Sequence, residues 1–300
     1  MSEGLSLEKI LEGAKGEEKR YDWLAAAGSY AEALRRVVES GDFFRGGEIQ
    51  ERIGHCLHRG AFQAESGEEF KEGMRRAVEA YEEAQGFYER SVSEGRSAWV
   101  YRCGALAKYL SHWVTPYPSE KLKLMGECLE MERKALAAFW DMGNKLEYGR
   151  TYNQLPLVFL GRIDHEWDKQ VQKRVIEEGI EWGERAVAAL SELGDSYEVA
   201  WAYLPLATCL QLMPYRFIEY PEERDRNRLE TIKYLGKAVE LSEKLGDAHL
   251  SGLLHYRWGK SESREEAIRH YQKALECGEE TRDSLIRGVA LSGLARNTFW

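Results

Sequence analysis

Three hundred residues, with 43% hydrophobic and 31% charged composition and only six prolines, describe a soluble, mostly helical chain. The net charge of -9 argues against a nucleic-acid surface, because neutralising phosphates needs a basic stripe, and the Arg35-Arg36 and Arg75-Arg76 pairs stand isolated. No apolar run approaches the length of a membrane span. Five scattered cysteines (Cys56, Cys103, Cys128, Cys209, Cys277), odd in number and without a Cys-x-x-Cys pair, read as reduced core residues of a cytoplasmic protein.

At the N-terminus a basic start followed by an apolar core is missing, so no signal peptide is predicted. Leu5, Ile10 and Leu11 suggest a short amphipathic helix that breaks at Gly16-Glu17-Glu18. Residues 1–16 therefore read as a cap or half-repeat, and 17–300 as one elongated array. The next helix carries Ala26, Tyr30 and Ala33 at i, i+4 and i+7, a stripe in which two small residues flank an aromatic. Its most regular copy is Ala267, Tyr271 and Ala274. The second small position recurs at Ala33, Ala84, Ala135, Ala186, Ala238 and Ala274, spaced by 51, 51, 51, 52 and 36 residues. These are B helices. Two middle copies break the rule: one has Cys128, Glu132 and Ala135, the next Gly179, Gly183 and Ala186.

B helices end in similar short turns, Ser40-Gly41-Asp42, Met142-Gly143-Asn144, Leu193-Gly194-Asp195, Leu245-Gly246-Asp247 and, more loosely, Thr281-Arg282-Asp283. Glycine ends one helix in the left-handed conformation and Asp or Asn caps the next, which predicts antiparallel hairpins. Counted from that Asp or Asn, each following A helix has a small residue at +5 (Gly47, Gly149, Ala200, Gly252, Gly288). A large apolar one follows at +11 (Ile53, Leu155, Leu206, Trp258, Leu294), then Gly or Ala at +12 (Gly54, Ala207, Gly259, Ala295). The copy around Ala84 fits when counted from Ser93, giving Ala98, Tyr101 and Ala105. Prolines 156 and 205 fall inside consecutive A helices, where each removes a backbone donor.

Together, the small-aromatic-small B helix and the A helix with a large apolar residue followed by Gly or Ala resemble the tetratricopeptide repeat, over roughly residues 20–297. That resemblance implies an all-α, antiparallel helix-hairpin solenoid of about 12–14 helices, wound as a right-handed superhelix and closed by a lone helix at 284–297. The family's period is about 34 residues, so the extra residues here are assigned to extended A-to-B loops at 58–68, 112–119, 160–168 and 213–224. It also implies an inner face lined by A helices: Glu48, Glu51, Arg52, His55 and Arg59; Trp99, Arg102 and Tyr109; Arg150, Asn153 and Gln154; Trp201 and Thr208; Tyr256, Arg257 and Lys260. Arginines, amides and aromatics on one face suit carboxylates and hydrophobic anchors. The Lys/Asn pattern with which some members clamp a C-terminal carboxylate is not reproduced.

Because rule-breaking clusters at functional sites, the irregular middle copies predict a pocket bounded by Arg102, Glu132, Arg150, Tyr152, Asn153, Trp201 and Tyr203. The competing reading is repeat drift compensated by large neighbours such as Trp182. Edge aromatics and histidines (His112, Trp113, Tyr117, His165, Trp167, Tyr215, Phe217, Tyr220) either fold back over the helix ends or form a second binding edge. Glu51, His55 and His58 share ligand-like spacing on one helix, a weak metal signal that yields to groove histidines. Nucleophile elbow and phosphate-binding loop motifs are absent, so neither catalysis nor a cofactor is expected. The expected function is a scaffold or adaptor holding a peptide or partner protein in the groove. Alternatives are a sensor of a small acidic ligand or signalling peptide and, third, a helical enzyme. Phe299 and Trp300 suggest self-association through the C-terminal helix.

Overall fold

A computed structural model describes residues 6–194, 196–218 and 220–298, without the side chains of 214–216. Among these residues the chain is all α-helix, thirteen helices packed in consecutive order, an all-α solenoid. Packing divides it into two compact units, Met1–Gly143 and Asn144–Trp300.

In the first unit lie α1 (Leu7–Lys19), α2 (Trp23–Glu39), α3 (Phe43–Ala61), α4 (Gly67–Arg90), α5 (Ser97–Val114) and α6 (Pro118–Asp141). The B-helix stripe is its spine: Ala26, Tyr30 and Ala33 of α2 and Ala77, Tyr81 and Ala84 of α4 are all buried. The small A-helix residues are seats for B-helix rings. A methyl group added at Gly54 would stand 3.1 Å from the Tyr81 ring, and one at Gly47 would stand 2.7 Å from that of Tyr88.

The second unit holds α7 (Lys145–Ile163), α8 (Lys169–Ser191), α9 (Tyr197–Phe217), α10 (Pro221–Leu245), α11 (Ala248–Gly259), α12 (Arg264–Glu280) and α13 (Ser284–Thr298). Tyr271 of α12 is wedged between Gly259 and Gly293, where an added Cβ would come within 2.8 and 2.6 Å of its ring. Gly183 inverts the arrangement. Lacking a ring, α8 lets Leu206 of α9 approach to 2.9 Å of where a Cβ would sit, and Gly179 admits Cys209 to 2.8 Å.

The B-to-A turns form as their residues dictate. Gly41, Gly143, Gly194 and Gly246 have φ between 66° and 93°, and Arg282 takes the same left-handed conformation at φ 57°. Asp42, Asn144, Asp247 and Asp283 accept the backbone N–H three residues on, at 3.0, 3.2, 2.8 and 2.8 Å. Asp195 lies outside the described residues, and the N-cap of α9 is Ser196.

Three expectations are corrected. The long period is not spent on loops. The A-to-B connections are only three to five residues, and the extra length extends the helices: α3 to α10 run to between 18 and 25 residues, against 12 and 17 in α11 and α12. Gly16 does not break α1, which continues to Lys19 and reverses where Tyr21 takes φ 58°. In α13 the packed stripe is Ile286, Ala290 and Gly293, while Gly288 and Ala295 are exposed, because Gly293 is the residue that faces Tyr271. Pro156 and Pro205 are both buried within helices that run through them.

Candidate functional site

In the first unit the irregular B helix produces a buried polar cluster. Glu132 stands where α2 and α4 carry Tyr30 and Tyr81; it is 0% exposed, and neither carboxylate oxygen has a hydrogen-bond partner among the described residues. Arg102 of α5 spends its guanidinium elsewhere, donating from Nη2 to Glu51 of α3 at 2.7 Å; the Tyr88 hydroxyl donates to the same oxygen at 3.2 Å. Arg102 also stacks over Phe139. Burial pushes the Glu132 carboxyl up to about 8, with Arg102 pulling the other way. A neutral carboxylic acid therefore occupies the slot at pH 7. Burial likewise pushes the Cys103 and Cys128 thiols well up, so neither is a ready nucleophile.

The other first-unit candidates are distributed along the A helices. Arg52 pairs with Glu18 of α1 through Nε and Nη2. His55 meets Trp23 edge-on at 5.8 Å, and His58 packs on Phe62. Trp99 is boxed by Phe44, Tyr88 and Phe139 at 5.1 to 6.2 Å, an inter-helix position. Cys56, between the two histidines, is buried and donates to Glu18. Among the described residues no group of three His, Cys, Asp or Glu is placed to hold a metal ion.

The second-unit candidates point in different directions. Arg150 is 44% exposed and bridges Glu147 on its own helix and Glu198 on α9. Tyr152 shares a hydroxyl hydrogen bond with Tyr148 at 2.8 Å and packs on Trp182 of α8, while Tyr203 stacks on Tyr234 of α10. Both tyrosines therefore face B helices. Trp201 stacks instead between Tyr197 and His249 of α11. Asn153 is buried with its Oδ1 lacking a partner among the described residues, and Gln154 is half-buried. Tyr256 sits beneath Arg257 and Lys260 and against Tyr271. The seven residues expected around one pocket thus divide into Arg102 and Glu132 in the first unit and five in the second, each set with its own surroundings.

No family model matches the sequence, and no curated protein matches it. Among solved structures, the chain is similar to a signal transduction ATPase with numerous domains (STAND) protein with a tetratricopeptide repeat sensor from Pyrococcus horikoshii. The TM-score is 0.50 at 15% identity, over 97% of this chain and 38% of that one. The fold is a tetratricopeptide-like helical repeat. The chain spans well under half the length of that protein. A circular tandem repeat protein with novel repeat topology aligns at TM-score 0.36 and 17% identity, over 97% of this chain and 71% of that one.

Sequence reasoning missed three features of the repeat. Glu18 reaches Arg52 across 34 residues because α1 packs as a helix of the array, and recognising α1 as the first A helix would have exposed the pair. His249 meets Asp283 at 3.2 Å, both buried, and the clue was that this cap residue follows an Arg rather than a Gly. His255 and His270 share one hydrogen between Nδ1 atoms 2.9 Å apart; burial, then His270, lowers His255 to about 4. Of the edge aromatics, Tyr117, Trp167 and Tyr220 are exposed, His112 is buried, and Trp113 contacts Phe62 and Phe70 while staying partly exposed. The Tyr215 side chain, Phe299 and Trp300 lie outside what is described. No described helix is long and apolar enough to cross a membrane.

Proposed function

We propose that the chain is a non-catalytic scaffold in the cytoplasm that holds a peptide segment or partner protein against the A-helix faces turned away from the B stripe. The observation that carries this is the row Arg45, Glu48, Arg52, His55 and Arg59 on α3: spaced by three and four residues, all accessible at least in part, and rich in guanidinium groups. Arg59 lies over Trp23, giving the row an aromatic anchor. In the second unit Arg150, Gln154 and Trp201 supply a similar mixture, with Tyr256, Arg257 and Lys260 on α11. Guanidinium and aromatic groups of this kind dominate protein interfaces.

Capture from native extract, repeated with Arg150→Ala and Arg52→Ala, tests the reading. The arginines are accessible but their carboxylate partners are largely buried, so each substitution should cost about 1–3 kcal/mol of stability, with circular dichroism verifying the fold, while weakening capture. Undiminished capture by both variants would refute the assignment of these faces. A second reading, a ligand-sensing module, is favoured by the unpartnered Glu132 beside Arg102. Thermal-shift screening against cationic and acidic metabolites, with Glu132→Gln as control, would separate it from the scaffold.

A further inference from the structure

A cleft of about 460 Å³ opens in the first unit, lined by Leu11, Lys15, Glu18 and Lys19 of α1, Tyr30 of α2, and Arg45, Glu48, Ile49 and Arg52 of α3. That volume lies in the range of small-molecule sites. Its charge is unusual for a chain of net charge -9: four cations face two carboxylates. Both carboxylates are already committed. Glu18 receives Arg52 through two nitrogens and the Cys56 thiol at 3.4 Å, and Glu48 receives Arg45 at 2.8 Å. Lys15 and Lys19, one helical turn apart on the same wall, are exposed and enter no ion pair with a described residue. Tyr30 and Ile49 are buried at the base, and Leu11 is half-buried beside them.

We propose that this cleft binds a compact organic anion, its acidic head group held by Lys15 and Lys19 with Arg45 opposite, and its apolar body laid on Leu11 and Ile49. A cation is disfavoured because no carboxylate is left to receive it. A wholly apolar ligand is disfavoured because it would desolvate two lysines without pairing them. The Arg52–Glu18 pair links α1 to α3 within the cleft, tying its two walls together before the ligand arrives. Burial, reinforced by the Glu18 charge, pushes the Tyr30 phenol up to about 12, leaving a hydroxyl that stays protonated at the base. The cleft shares Arg45, Glu48 and Arg52 with the α3 row of the scaffold reading, but Lys15 and Lys19 belong to the cleft alone, so substituting them separates loss of anion binding from loss of partner capture.

Titration calorimetry with phenyl phosphate, benzylsuccinate, inorganic phosphate and benzyl alcohol tests it. Phenyl phosphate or benzylsuccinate should bind, and which of them binds more tightly distinguishes a phosphate from a carboxylate head. Benzyl alcohol should not bind. Lys15→Ala with Lys19→Ala should weaken the anionic probe about tenfold or more, whereas Lys169→Ala with Lys173→Ala on α8 should leave it unchanged. Leu11→Ser should weaken phenyl phosphate while sparing inorganic phosphate. All these positions are at least partly accessible, and circular dichroism verifies the fold. Equal binding by the α1 double variant, or no binding by either aromatic anion at millimolar concentration, would overturn the proposal.

Discussion

Replacing Glu132 with Gln should remove a pH dependence that the wild-type chain builds into α6. In the folded chain the carboxyl holds its proton up to about pH 8; unfolded, it releases it near the ordinary value of 4.5. Between those values the folded state binds one more proton than the unfolded state, so stability falls as pH rises, by about 1.4 kcal/mol per unit. From pH 5.5 to 8.5 the wild type should lose about 3 kcal/mol relative to Glu132→Gln, which keeps the shape and never ionises. The groups interacting with the carboxyl are Arg102 and Cys103 of α5 and Cys128 on its own helix. The two thiols are pushed well above this window, so they do not supply the effect. Hydrogen exchange read on peptides of α5 and α6 at the two pH values gives local opening free energies, independent of how the two units unfold. Parallel pH profiles for wild type and variant would refute the reasoning, since they would mean the carboxylate is solvated or paired in the fold. Glu132→Leu adds a second arm: with Arg102 still held by Glu51, it should stabilise α6 at pH 8.5 by about 1–4 kcal/mol.

Two other perturbations follow from packing. Gly293→Ala puts a methyl group 2.6 Å from the Tyr271 ring and Gly259→Ala one at 2.8 Å, so each should destabilise the second unit by about 1–3 kcal/mol in urea melts, with Tyr271→Leu partly relieving the clash. Asp283→Ala removes both the acceptor for Ile286 N–H and the partner of buried His249, and should cost about 2–4 kcal/mol; an unchanged midpoint would mean that His249 finds another acceptor.

The fold was legible because the repeat writes the same local physics many times. A ring between two small residues, a left-handed residue and an Asp or Asn cap recur at fixed offsets, and even Arg282, which breaks the glycine rule, adopts the expected conformation. Loop length was illegible for the opposite reason. Residues such as Ala61, Val114 and Ile163 continue an A helix without any change of pattern, and nothing local distinguishes an extra helical turn from a loop. Side-chain direction was harder still. Tyr152 and Arg150 are two residues apart on α7, yet one faces α8 and the other α9, so a small error in register misplaces both. Glu18 and Arg52 show the limit, because their pairing depends on how α1 and α3 each pack on α2, which no spacing within either helix encodes.

Three B helices lack a ring at the central position; α10 fills it with Leu235, while α6 and α8 solve the deficit in contrasting ways that say where function is worth seeking. At Gly183 the lost volume is refilled from outside: Leu206 closes on the glycine, Cys209 on Gly179, and Tyr152 packs on Trp182. That is compensated drift, an apolar seat filled by an apolar neighbour. At Glu132 volume is partly kept but chemistry is not, because a carboxyl group is buried with no hydrogen-bond partner where a tyrosine would bury a ring. A hydrophobic residue there would be more stable, so holding an acid in that slot carries a standing cost of about 1–3 kcal/mol. Packing can account for Gly183 but not for Glu132. The polar cluster of α5 and α6 is therefore where a ligand that both accepts from an O–H and donates to a carbonyl oxygen would gain most, since the fold leaves both oxygens of the neutral carboxyl unmet.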